Sequence, residues 1–147
     1  MKNAPPSMKK FSIHFATGVV ASPNFPGNYP NNLEKTETLL VDQDLVLLLQ
    51  FTAFDIEYQS TCPWDHLTIK DGDGATLMNK TCGSCDSMQA CDFLPASIKS
   101  SSNVVDLLFV TNGNGRKAGW SVSWIAVPPG QCHHSPNTGI LEEASEI

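Results

Sequence analysis

The 147-residue chain is poor in basic charge, in long apolar runs and in helical periodicity, and each shortage removes a class of function. Nine Lys and Arg stand against fifteen Asp and Glu, for a net charge of −6. Lys2, Lys9 and Lys10 fall in the head (1–13), and Glu142, Glu143 and Glu146 in the tail (128–147). The middle (14–127) therefore carries six bases against twelve acids. A nucleic-acid surface needs clustered Lys and Arg, so that class is excluded, and cations or basic proteins are the better matched partners. No apolar run approaches the roughly 20 residues that cross a bilayer. The lysines of the head are not followed by the apolar core of a secretion signal, so the chain reads as a mature one. Enzyme signatures are missing too: no HExxH helix, no GxSxG elbow, no glycine-rich phosphate loop ahead of a helix. The chain is read as non-catalytic.

Cysteine, by contrast, is plentiful. Five at 62, 82, 85, 91 and 132 are many for a cytosolic protein of this length. Asn79-Lys80-Thr81 is an N-glycosylation sequon, which a secreted surface loop would accommodate. Together they point to an oxidising, extracellular setting. The odd count leaves one thiol over, and Cys132 in the tail is the natural candidate.

Strand signals separated by turn residues recur along the chain. Phe11, Ile13 and Phe15 alternate with polar neighbours as an edge strand would, and Gly18 to Ala21 is a short apolar run. A Pro/Asn/Gly-rich loop follows from Ser22 to Asn32, then Thr36 to Val41 and Leu45 to Phe54 around the turn Asp42-Gln43-Asp44. Leu47, Leu49 and Phe51 share one strand face, as do Leu67 and Ile69, then Val105, Leu107 and Phe109, then Trp120, Val122 and Trp124. Many short antiparallel strands mean an all-β sandwich or barrel. Pro128-Pro129-Gly130 ends the domain, leaving 1–13 as an N-terminal extension and 128–147 as a flexible tail or linker.

Several of these segments fall into a known order. Gly18-Val19-Val20-Ala21-Ser22-Pro23-Asn24-Phe25-Pro26 with Asn28-Tyr29-Pro30-Asn31-Asn32 resembles the opening of a CUB domain. Phe54-Asp55-Ile56-Glu57, Cys62-Pro63-Trp64-Asp65, Asp71-Gly72, Cys82-Gly83, Phe109-Val110-Thr111-Asn112 and Gly119-Trp120-Ser121-Val122-Ser123-Trp124 continue the resemblance over about 16–126. It implies a CUB-like jelly-roll sandwich of two antiparallel sheets over 14–127, acting as a secreted interaction module. In this sequence Lys35 and Glu37 stand where the family usually has its second cysteine and a following aromatic, and the N-terminal cysteine is missing as well. The missing pair matches a subtype without the first family disulfide.

The resemblance also assigns a site. Calcium-binding members hold one Ca²⁺ with a glutamate and two aspartates at places that here carry Glu57, Asp65 and Asn112. Gly113 would offer a carbonyl and Asn114 a side chain, a set of hard oxygens suited to Ca²⁺. Asn112 is one charge short, so weaker binding is expected than with three acids. The alternative is two carboxylates satisfied by loop N–H groups, without metal. Glu57, Tyr58 and Asp65 would meet the partner, an extracellular protein offering a Lys or Arg. Other readings are glycan or egg-coat binding, as in spermadhesins, with Trp64 and Tyr58 stacking on sugars, and an accessory domain of an astacin-like protease.

Cys62 and Cys82 match the second family disulfide, while Cys85 and Cys91 would close a short local loop. The CxxC formed by Cys82 and Cys85, with Cys91 and His133 or His134, is the rival zinc reading, although a structural zinc site normally pairs two such knuckles. Asp71-Gly72-Asp73-Gly74 is a hairpin turn rather than an EF-hand, since position 12 of that loop lacks Glu and no helices flank it.

Overall fold

A computed structural model describes residues 15–130. The head strand expected from Phe11, the tail, Cys132 and the His133-His134 pair lie wholly or largely outside those residues.

Two antiparallel sheets face one another. The first runs β1 (Thr17–Ala21), β9 (Gly119–Val127), β3 (Val46–Ile56), β6 (Gly83–Ser84), with β7 (Ile98–Lys99) also paired to β3. The second runs β2 (Glu34–Leu40), β8 (Val104–Val110), β4 (His66–Asp71), β5 (Thr76–Thr81). The jelly-roll sandwich is thus present, with the core between the sheets. Leu47, Leu49 and Phe51 of β3 face Leu67 and Ile69 of β4 and Val105, Leu107 and Phe109 of β8, all buried.

Strand period places most of these residues, but β3 changes face midway. Strict alternation after Phe51 would send Phe54 and Ile56 to solvent. Instead the register against β9 slips between Phe51 and Ala53, and the extra residue turns both side chains into the core. The bulge therefore sets how β3 arrives at its last residue and where Glu57 begins its loop.

The disulfides join Cys62 to Cys82 and Cys85 to Cys91, with Cα–Cα separations of 5.6 and 5.3 Å. The first ties the loop before β4 to the end of β5. The second closes a small loop around a 3-10 turn (Met88–Ala90), which lies beside β3. With Cys82 and Cys85 each in a disulfide, the CxxC offers no thiolate to zinc.

Asp71-Gly72-Asp73-Gly74 forms the β4–β5 turn, with Gly74 at φ +96. Asp71 is buried and accepts hydrogen bonds from the N–H groups of Gly72 (2.8 Å) and Ser101 (2.7 Å) and from the hydroxyls of Ser101 (2.9 Å) and Ser102 (2.5 Å). Burial pushes its carboxyl up, but those bonds outweigh it and hold it below the usual range. Its oxygens are occupied by the protein, a structural role.

Candidate functional site: an acidic end of the sandwich

Three chain segments converge at one end of the sandwich: the residue after β3, the residue before β4 and the residues after β8. They deliver Glu57, Asp65 and Asn112 respectively. The β1–β2 loop adds a fourth component, Tyr29, which is fully buried. The Tyr29 ring meets Phe109 edge-on at 5.0 Å, and Phe109 meets Trp120 edge-on at 5.9 Å. Such pairs are worth about 0.5–1.5 kcal/mol each beyond area burial. A stack of aromatics anchored in the core thus fixes the tyrosine that reaches the acids.

The Tyr29 hydroxyl donates to Asp65 Oδ2 at 2.6 Å and accepts the Glu57 main-chain N–H at 3.1 Å. Asp65 Oδ1 accepts the Asn112 N–H at 2.7 Å, and the Asn112 carbonyl accepts the Asn32 N–H at 2.7 Å. Asp65 is therefore buried yet bonded on both oxygens to two different loops. Thr111 locks the same pair of loops: its hydroxyl donates to the Pro30 carbonyl (2.8 Å) and accepts the Leu33 N–H (2.8 Å). Burial raises the Tyr29 hydroxyl far above its ordinary value, followed by its bond to Asp65, so it stays a proton donor.

Glu57 is less well served. Its Oε1 is buried with no hydrogen-bond partner. Its carboxyl is held above the ordinary range, by burial first and then by the neighbouring Asp65, while Lys117 counters in part. Gly115, at φ +81, passes so close that a Cβ there would collide with the Glu57 carboxylate. An unpartnered carboxylate oxygen beside a second carboxylate, under a close-fitting loop, is what a hard cation would satisfy. The residues fit Ca²⁺ in donor chemistry.

Asn112 is half-buried and its Oδ1 accepts the Asn114 N–H at 3.1 Å, so the amide shapes its own loop. Gly113 and Asn114 follow, both exposed. Among the described residues no group of three His, Cys, Asp or Glu side chains is arranged to hold a metal, so any third donor is an amide or a carbonyl. Tyr58 and Trp64 stand 67% and 43% exposed beside the acids, available to a partner rather than spent in the core. His66, next to Asp65, is buried with Nδ1 unpartnered, and burial, then Lys80, lowers its pKa.

Two contributors escaped the sequence reading. Tyr29 sits in a Pro/Asn-rich loop, where the signal was a lone aromatic amid turn formers. Gly115 was one of two glycines in a turn-forming run, and its role depends on where Glu57 lies. Asn79, expected in a loop, sits exposed on β5, an edge strand.

The model of the CUB domain family matches residues 10–124. Cubilin of Sus scrofa is 34% identical over 117 residues, covering 78% of this chain and 3% of that protein. Bone morphogenetic protein 1 of Xenopus laevis is 32% identical over 129 residues, covering 86% of this chain and 17% of that protein. The chain thus spans a small part of either relative. Among solved structures, the MASP-1 CUB2 domain bound to Ca²⁺ superposes with a TM-score of 0.62 at 30% identity, covering 74% of this chain and 90% of that one. The CUB1-EGF-CUB2 domains of human MASP-1/3 share the fold, with a TM-score of 0.66 at 23% identity, covering 79% of this chain and 43% of that one.

Proposed function

The chain belongs to the CUB domain family, and from that premise we propose that it is an extracellular, non-catalytic module that binds a protein partner through the acidic end of its sandwich in a Ca²⁺-dependent way. The observation that carries this reading is the pairing of Glu57 and Asp65 around Tyr29, with Glu57 Oε1 left without a partner. Glu57, Asp65 and Asn112 would hold the ion, with the Gly113 carbonyl and Asn114 side chain as further donors. When bound, the ion neutralises the acid pair and ties the loops after β3 and β8 together. The acids left facing outward, with Tyr58 beside them, then receive a Lys or Arg of the partner. The Ca²⁺-bound MASP-1 CUB2 domain supports the metal assignment by likeness. Asn79, on the exposed face of an edge strand, would carry an N-linked glycan.

Calcium titration by calorimetry, on the wild-type chain and on Glu57→Ala and Asp65→Ala, tests the reading. Heat is expected from the wild type and none from either variant. Absence of heat from the wild type at millimolar Ca²⁺ removes the metal. The exposure of Tyr58 and Trp64 favours one second reading, sugar stacking at the same rim. Hits on a glycan array that vanish in Trp64→Ala would establish it, and an array without hits would discard it.

A further inference from the structure

The sandwich has long strand edges at β1, β2 and β5, and only one of them is undefended. On β2, Glu34, Lys35 and Glu37 put charge along the edge, and Lys35 lies 3.5 Å from Glu37. Edge strand β5 carries Lys80 and shifts register twice against β4, a bulged edge that a second strand cannot follow. The strands β6 and β7 are two residues each. By contrast β1 reads Thr-Gly-Val-Val-Ala: no charge, no proline and no register shift against β9.

Its main-chain groups are aimed outward in a definite pattern. The Ala126 N–H donates to the Ala16 carbonyl and the Ser22 N–H to the Trp120 carbonyl, each at 2.9 Å. The even-numbered residues of this stretch therefore face β9, and the odd-numbered ones, Thr17, Val19 and Ala21, turn their N–H and C=O groups to the open side. Among the described residues nothing bonds to those groups across that edge. The same residues send their side chains to the outer face of the sheet, where Val19 is 69% exposed beside Ser121, Ser123 and Ile125 of β9.

We propose that the free edge of β1 pairs antiparallel with β1 of a second copy of this chain, across a two-fold axis at Val19. In that register Val19 lies opposite its own counterpart and Thr17 opposite Ala21, so every outward N–H meets an outward C=O. The two five-stranded sheets become one continuous sheet, and the two Val19 side chains pack against each other on its outer face. Charge favours a second copy here over other faces. Each copy carries −6, and pairing through β2 would set glutamates of like sign along one edge, whereas β1 brings no charge to the contact.

Sedimentation velocity of the full chain, from micromolar to hundreds of micromolar, tests this. A concentration-dependent monomer–dimer equilibrium is expected. Val19→Lys, which sets two ammonium groups opposite each other at an exposed position, is expected to weaken the dimer by about tenfold or more. Leu40→Lys, a substitution at a 70% exposed residue of β2, is expected to leave it unchanged. A wild type that stays monomeric throughout the range, or a dimer that survives Val19→Lys, overturns the proposal. So does equal weakening by both substitutions.

Discussion

The hydroxyl of Tyr29 lies 2.6 Å from Oδ2 of Asp65 and simultaneously receives the main-chain N–H of Glu57. One buried phenol thus holds both acids of the candidate site in register, with its ring seated against Phe109 in the core.

Tyr29→Phe keeps the ring contacts and deletes only that bridge. Removing a hydrogen bond to a buried carboxylate costs about 1.5–3 kcal/mol. A loss of that size is expected in denaturant unfolding with chelator present, together with a weaker Ca²⁺ isotherm. An unchanged unfolding midpoint would mean that the phenol does not support Asp65.

The raised pKa of Glu57 has a pH signature. An acid whose folded-state pKa lies above its unfolded value binds protons more readily in the folded state. Its contribution favours folding at pH below the unfolded value and is lost as pH rises through the folded one. In chelator, the stability difference between wild type and Glu57→Gln should therefore shift against the wild type as pH rises from the carboxylate range to neutrality. Using the difference matters, because lowered Asp71 and His66 each contribute the opposite slope in both proteins. Saturating Ca²⁺ should remove the penalty at neutral pH. A pH-independent difference would count against the crowding of Glu57 by Asp65.

Asp71 separates structural from metal-binding acids. It closes the far end of β4 from Asp65, about 20 Å away for a strand of this length. Asp71→Ala strands the donors of Gly72, Ser101 and Ser102 and is expected to cost about 2–4 kcal/mol of stability. The Ca²⁺ affinity of the folded fraction should stay unchanged, as calorimetry below the unfolding transition would record. A lost isotherm would mean the two ends are coupled.

The strands that were legible in the sequence are those with clean alternation and a buried face, such as β4, β8 and β9. Their inward residues, Leu67, Leu107 and Val122, occupy the core. Where the period breaks, sequence reasoning stopped: β5 passed unrecognised because its bulges scramble the alternation, and Phe54 and Ile56 turn inward only through the slip after Phe51. At the site, Glu57, Asp65 and Asn112 were named from a family pattern, and the fold brings them to one end. Tyr29 was not named as a site residue, because its contribution is a contact across 36 positions that no local pattern encodes.

Asn112 offers the sharpest test of the metal reading, since one substitution should move apo and bound states in opposite directions. Its Oδ1 accepts the Asn114 N–H, a bond that an aspartate oxygen accepts equally well, so Asn112→Asp preserves the loop and adds one charge. Without metal the new carboxylate joins Glu57 and Asp65, and like charges at close range disfavour the folded state. With Ca²⁺ the same charge becomes a ligand, and affinity should rise by about tenfold, ~1.4 kcal/mol. Thermal unfolding should thus show a lower Tm than wild type in chelator and a larger gain on Ca²⁺ addition. A variant less stable in chelator that gains no more than the wild type from Ca²⁺ would show that the ion, if bound, does not lie at residue 112.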